Sequence, residues 1–453
     1  MTEKALTAPI QRTITRVSIR RLFGAYTYEV NNPSPVIPQS PNLLILYGDN
    51  GSGKTTILNS LFNLLSPTPH AGHRTELGRT KFERLEVEFS DGTKVSANRA
   101  PGETTGPYRL TISQQGDQIA SFSWPLRPSA SSTKEHENEE NYKELCRQLH
   151  RLGAIQYLSD DRRLRTTRTP RSQLSRRLER EEFRRVISEP EVRSSEIEKR
   201  HLAFRESLLD EAVQRAIEWI HNQALRASNI GQSQADNIFS DVVKRIATFG
   251  EESEPSAEEL HALGETLTSI AQRNETFRSF GLTPKLDVGE ITNSIARSSK
   301  KSQALIKHVL TPYVDGLRAR LDALQILRDL IDKLVENLNE FYKNKKIRFT
   351  LSEGFKINFT NGEPLEPKDL SSGEKQLLFL LCNTLSARSN SSIFIIDEPE
   401  ISLNVKWQRL LIGALFDCMS GSGSQLIIAT HSIEMLAQHR RSVTKLVDLE
   451  NAQ

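Results

Sequence analysis

Residues 48–56 read Gly-Asp-Asn-Gly-Ser-Gly-Lys-Thr-Thr, directly after the apolar run Leu43-Leu44-Ile45-Leu46-Tyr47. An apolar strand, a glycine-rich loop and a Lys-Thr pair opening a helix make up the phosphate-binding P-loop. No other feature constrains the fold as tightly, because the loop works only between a strand and a helix. Its successive backbone N–H groups converge on an anion, and the dipole of the following helix adds partial positive charge. The expected nucleotide contacts are Gly48, Asn50, Gly51, Ser52, Gly53, Lys54, Thr55 and Thr56. Lys54 is placed to reach the β- and γ-phosphates of ATP, and the Thr55 hydroxyl to ligate Mg2+.

A chain of 453 residues suits two or three domains. No apolar run approaches the roughly 18 residues of a membrane span, so no membrane contact is expected. The opening MTEKALTAPIQRT lacks the apolar core of a secretory signal, which points to the cytoplasm. The three cysteines, Cys146, Cys382 and Cys418, are too scattered for a disulfide framework or a zinc site, and read as small buried thiols. Net charge is only +3, yet ten arginines stand against three glutamates between Arg162 and Arg185. That field suits DNA or an acidic trigger protein, and equally a solvated helix laced with Glu–Arg pairs.

The pattern predicts strands over 14–30 with a turn near Gly24, a proline-rich loop over 31–41, and a P-loop helix ending near Leu65 before Pro67 and Pro69. Short alternating runs over 83–123 read as an antiparallel β region, 128–140 as a polar loop, and 154–158 as a buried strand. Residues 161–345 turn helical. Apolar residues fall at helical spacing over 194–227, a break lies at 250–259, helical pieces run to about 278, and a long helix covers about 288–343. Its Leu317, Leu321, Leu324, Ile331, Val335, Leu338 and Tyr342 fit a packed helix, a short coiled-coil arm or a bundle helix alike. Strands return at 346–360, then at 392–396 and 425–429 as near-continuous apolar runs of the kind found in parallel sheets. The expected fold is α/β, a mixed sheet with flanking helices and an antiparallel β region, split by a helical insertion. The expected domains are 1–160, 161–345 and 346–453, the first and last forming one head.

Asp397-Glu398 follows the strand ending in Ser-Ile-Phe-Ile-Ile. Two carboxylates at that place read as a Walker B site, with Asp397 holding Mg2+ through water and Glu398 orienting or deprotonating the attacking water. Leu370-Ser371-Ser372-Gly373-Glu374-Lys375-Gln376 opens the next long helix, and Ser371 is also a plausible N-cap. Here the chain resembles the ABC-type ATPase superfamily in its SMC/RecF/OLD-like, AAA-family branch, whose signature motif LSSGEKQ matches. The resemblance covers roughly residues 10–160 and 346–440. It implies an ABC-type P-loop head in which Ser371 and the Gly373 N–H contact the γ-phosphate of ATP held by another subunit. It implies that His431, in Ala429-Thr430-His431-Ser432, is the switch histidine facing that phosphate and the attacking water. It also implies a glutamine that ligates Mg2+ or positions water. Gln156 is the first candidate, with Gln114 and Gln115 competing. Residues 398–408, EPEISLNVKWQ, resemble that branch's EPExxLHPxWQ, with Asn404 where histidine is frequent.

Lys54 and Ser371 stand much farther apart than in a transporter nucleotide-binding domain, and 161–345 is too short for an SMC coiled coil. Only residues 432–453 follow His431, and no second carboxylate cluster or HNH pattern suits a nuclease. The set is similar to stand-alone ATPases of bacterial anti-phage systems, first of the PARIS type and then of the Septu type. That resemblance implies a slow ATPase, ATP-dependent head-to-tail homo-oligomers, and a sensor or scaffold role over a separate nuclease or toxin subunit. The alternatives are a RecF-like DNA-repair or DNA-end-binding ATPase and an ATP-locked scaffold with negligible turnover.

Overall fold

The computed structural model describes residues 12–32, 42–124, 132–167, 206–228, 257–298, 300–388 and 392–450. Outside them lie most of the proline-rich loop at 31–41, the Arg168–Arg185 part of the basic segment, the start of the helical spacing at 194–227, and most of the break at 250–259.

β1 (Ile14–Leu22) and β2 (Tyr26–Asn31) form a hairpin. β3 (Asn42–Tyr47) runs into the P-loop and α1 (Lys54–Leu65), followed by α2 (His73–Arg79). Four strands follow: β4 (Arg84–Phe89), β5 (Thr93–Asn98), β6 (Tyr108–Gln114) and β7 (Asp117–Trp124). Then come α3 (Ser132–Arg151), β8 (Ile155–Leu158) and β9 (Leu164–Thr166). α4 covers 206–228. α5 (Ala257–Arg278), α6 (Gly289–Arg297) and α7 (Lys300–Phe341) lead to β10 (Lys345–Thr350), β11 (Gly354–Phe359) and β12 (Pro364–Leu365). The chain closes with α8 (Ser372–Ala387), β13 (Ile393–Asp397), α9 (Val405–Met419), β14 (Gln425–Thr430), α10 (Ile433–Leu436) and β15 (Val443–Lys445).

Two compact units result, one from 1–212 with 371–453 and the other from 213–370, so β10–β12 group with the helices before them. The first unit holds two six-stranded sheets. One is antiparallel in the order β2-β1-β4-β5-β6-β7, with one face buried and the other solvated. The other runs β15-β3-β14-β13-β8-β9 and is parallel except for β9. Its central strands are buried on both faces, which explains the unbroken apolar runs in the sequence. α1 shares one core cluster with both sheets: Leu58, Leu61 and Phe62 pack with Val87 and Val95 of one and Leu44, Tyr157 and Ile395 of the other. Burying each such side chain is worth roughly 1.5–3 kcal/mol. That outweighs the side-chain N-cap α1 lacks, an item of about 1 kcal/mol. The buried Gln425 amide joins the sheets, donating to Ile14 O at 2.9 Å and accepting from Ile14 N at 2.7 Å.

In the second unit α5 and α7 pack together, with Arg273 Nη1 2.6 Å from Asp322 and Nη2 2.7 Å from Gln325. The Asn339 side chain pairs with both backbone groups of Ile347, fixing the exit of α7 into β10.

Three expectations need correction. The polar run 128–140 is helical from Ser132 onward, because its Glu and Lys are good helix formers continuous with turns that bury Tyr142, Leu145 and Leu149. The segment after 161 opens with β9, which pairs antiparallel with β8, so it is not wholly helical. The long helix over 288–343 is two helices, interrupted near Ser298, and Pro312 lies inside the second.

Candidate functional site

The parallel strands β3, β14, β13 and β8 end side by side, with Asp397 opposite Ala429 and Thr430 opposite Tyr47. Ligands of open α/β sheets bind outside such carboxyl ends. The P-loop leaves β3 here. Gly51 and Gly53 have φ of +84° and +89°, a region open mainly to glycine. A Cβ on Gly53 would also stand 2.9 Å from Leu22 Cδ2, so the loop is glycine for two reasons. Lys54 is buried, and its Nζ donates to Gly48 O at 2.8 Å and Asp49 O at 3.2 Å. The same ammonium lies 3.4 Å from Glu398 Oε1.

Asp397 is buried at the end of β13, and burial pushes its carboxyl up to about 6. The Thr55 hydroxyl pulls against that shift, and so does Tyr157, whose hydroxyl donates to Asp397 Oδ2 at 3.2 Å. The nearby charges of Asp160 and Glu398 add to the rise. Asp397 Oδ1 is buried with no hydrogen-bond partner. A buried carboxylate oxygen without a donor, beside the Thr55 hydroxyl, fits an oxygen-seeking cation such as Mg2+.

Glu398 adopts φ of +47°, in the left-handed region. Its N–H is fixed to Ala429 O at 2.9 Å. Its Oε1 faces Lys54, and its Oε2 bonds His431 Nδ1. Burial alone would raise this carboxyl. The hydrogen bonds from Glu400 and His431 and the charge of Lys54 prevail and hold it below the ordinary value. Glu400, 3% exposed, moves the other way, raised to about 7 by burial and by the Glu398 charge. Of the two carboxyls, Glu400 is therefore the one that takes up a proton first as pH falls.

Ser371 caps α8: its Oγ accepts from Glu374 N at 3.4 Å while Glu374 Oε2 accepts from Ser371 N at 2.8 Å, a capping box. Gly373 is buried beneath the next loop, and a Cβ there would lie 2.8 Å from Ser402 O and 3.0 Å from Trp407 Cζ3. The P-loop is in neither set of neighbours. Asn404 caps α9, its Oδ1 accepting from Trp407 N at 3.1 Å.

The structure brings Lys54, Thr55, Asp397, Glu398 and His431 together. It does not bring Gln156 to them. Gln156 pairs in register with Phe394, and Tyr157 with Ile395. Side chains alternate along a strand, so Tyr157 shares the face of Asp397 and Gln156 projects from the other. Gln114 and Gln115 lie at the far turn of the antiparallel sheet, between β6 and β7. Of the basic segment, Arg163 pairs with Asp161 at 3.1 Å, and Arg165 bonds Asn59 at 3.0 Å and lies over the Tyr157 ring. Sequence reasoning missed Tyr157 and Glu400. The second carboxylate of Glu-Pro-Glu was the available signal for Glu400.

A phosphate loop and a strand-end carboxylate pair meeting around one lysine define an ABC/AAA-type P-loop ATPase. Residues 43–437 match the family described as "AAA domain, putative AbiEii toxin, Type IV TA system", and the chain belongs to that family. A 117-residue stretch is 30% identical to a "Putative ABC transporter ATP-binding protein" of Bacillus thuringiensis subsp. konkukian, covering 26% of this chain and 20% of that one. A protein of the same description from Pyrococcus horikoshii is 31% identical over 113 residues, 25% of this chain and 41% of its own. The match thus spans about a fifth of the first relative and under half of the second. Among solved structures the chain is similar to the Smc head domain with an extended coiled coil bound to the C-terminal domain of ScpA, derived from Pyrococcus furiosus. Identity is 12%, coverage 97% and 98% of the two chains, and the TM-score 0.35, a level that carries no argument.

Proposed function

We propose that this protein binds Mg-ATP at the P-loop and hydrolyses it slowly, with Glu398 as the base that orients and deprotonates the attacking water. The carrying observation is Glu398 itself. It is held in a left-handed conformation between Lys54 and His431 and kept ionised at neutral pH by its partners. Thr55 and Asp397 would hold Mg2+, which when bound offsets charge on the phosphate oxygens. Lys54 exchanges its loop carbonyls for phosphate oxygens, and His431, bonded through Nδ1, has Nε2 left to meet the γ-phosphate.

Ser371 and Ser372 are exposed at the start of α8, open to a second copy. This supports a composite site in which Ser371 and Gly373 of one copy complete the nucleotide site of another. The unit of 1–212 with 371–453 then acts as the head, and 213–370 as the insertion. We further infer a sensor or scaffold role in anti-phage defence, in the manner of AriA of PARIS or PtuA of Septu, over a separate nuclease or toxin. The toxin–antitoxin description of the family supports this reading.

Glu398→Gln tests the core of the proposal. Turnover should fall about 10²- to 10⁴-fold, the usual worth of a positioned base. ATP binding should persist, and light scattering should find a doubled mass with Mg-ATP. A variant that hydrolyses at the wild-type rate would reject the assignment of Glu398. The defence role predicts that expression with its genomic neighbour lowers phage plaquing and that Lys54→Ala abolishes the protection.

A further inference from the structure

Glu400 touches the segment bearing His431 at more points than any contact described for Glu398. Its Oε1 accepts from the Thr430 hydroxyl, from His431 N at 3.0 Å and from Ser432 N at 3.3 Å. The same oxygen lies 3.3 Å from His431 Nδ1. These donors belong to three consecutive residues at the end of β14. Its other oxygen, Oε2, is buried with no hydrogen-bond partner, and the Glu398 carboxylate lies close by. Ser432 adds a second tie, its Oγ donating to Gln408 Oε1 at 2.7 Å.

The ligand atoms of Glu398, Glu400 and His431 lie within 4.8 Å of one another, a spacing that a metal ion could use. The hydrogen bonds argue otherwise. Glu400 Oε1 already faces three donors and Glu398 Oε2 faces His431, and donors aimed at those oxygens oppose a cation.

We propose that Glu400 is the positioning residue for His431: its buried carboxyl group clamps the 430–432 turn and so fixes where the imidazole meets the γ-phosphate. The inference rests on the hydrolytic reading above. It assigns Glu400 no contact with the nucleotide, so its removal should affect the rate and spare the affinity.

The test compares full-length wild type, Glu398→Gln, Glu400→Ala, Glu400→Gln and Thr430→Val. Single-turnover hydrolysis of Mg-ATP is measured beside the Kd of a fluorescent ATP analogue. Glu400→Ala should lower the rate about 100-fold, as expected for a reacting group misplaced by about 1 Å, and leave the Kd unchanged. Glu400→Gln keeps an acceptor for the three donors, so it should recover most of the rate. Thr430→Val deletes one donor and should be intermediate. If Glu400→Ala does not fold, the Gln and Val variants carry the test. A Glu400→Gln variant without activity, or a Thr430→Val variant at the full wild-type rate, then overturns the clamp. The clamp alone fails if Glu398→Gln is inactive while Glu400→Ala turns over normally, or if Kd and rate change together. A wild type without turnover overturns the hydrolytic reading and the clamp with it.

Discussion

At the scale of residues, the site is governed by where carboxylates keep their protons and where a Cβ fits. Burial raises Glu400 from an ordinary 4.5 to about 7. The folded protein therefore holds a proton that the unfolded chain has already released within that interval. The contribution of this group to stability is full below pH 4.5 and is lost as pH rises toward 7. Glu400→Gln removes that dependence. Urea midpoints should shift in favour of the variant relative to wild type on going from about pH 5 to about pH 8. Gly373 offers a steric test. An alanine there would push into Ser402 O and the Trp407 ring. Overpacking of this kind costs about 1–3 kcal/mol. Gly373→Ala should therefore lower the Tm and weaken ATP-dependent pairing, while the nucleotide affinity of the P-loop is retained. A variant with the wild-type Tm and mass would show that the loop yields freely.

At the scale of elements, α1 depends on an arginine from outside it. Arg74 of α2, 5% exposed, donates to Asn63 O at 2.6 Å, Leu64 O at 3.0 Å and Ser66 O at 2.6 Å, the carbonyls that a helix end leaves open. Arg74→Ala strands them in the core and should cost about 3 kcal/mol, read from urea unfolding, with fluorescent-nucleotide binding weakened as α1 loosens. The end of α1 was legible in Pro67 and Pro69, but its cap was not, because that bond is made by a side chain in the next helix. α3 shows a related blind spot. A run such as Lys-Glu-His-Glu-Asn-Glu-Glu has the composition of a loop and of a solvated helix alike. The burial of Tyr142, Leu145 and Leu149 farther along decides between them.

At the scale of the whole molecule, the composite-site reading predicts that the mass depends on the metal. Glu398→Gln held as a pair by Mg-ATP should return to single copies when EDTA is added. A pair that survives chelation would place its interface elsewhere. The P-loop, Asp397, Glu398 and His431 were legible because each follows an apolar strand. Their convergence follows from the register of four parallel strands. The face taken by Gln156 depends on that same register, which no local pattern displays. Glu400 escaped notice because its donors lie thirty positions downstream. The strand order also has a temporal side. β3 and β8 are synthesised early, yet β14 and β13, made far later, lie between them. On the ribosome the strand that launches the P-loop has no β14 neighbour until residue 430 has emerged. Until that point the nascent chain holds β3 without the strands that carry Asp397 and Thr430, so the carboxylate and histidine side of the site joins the P-loop only late in synthesis.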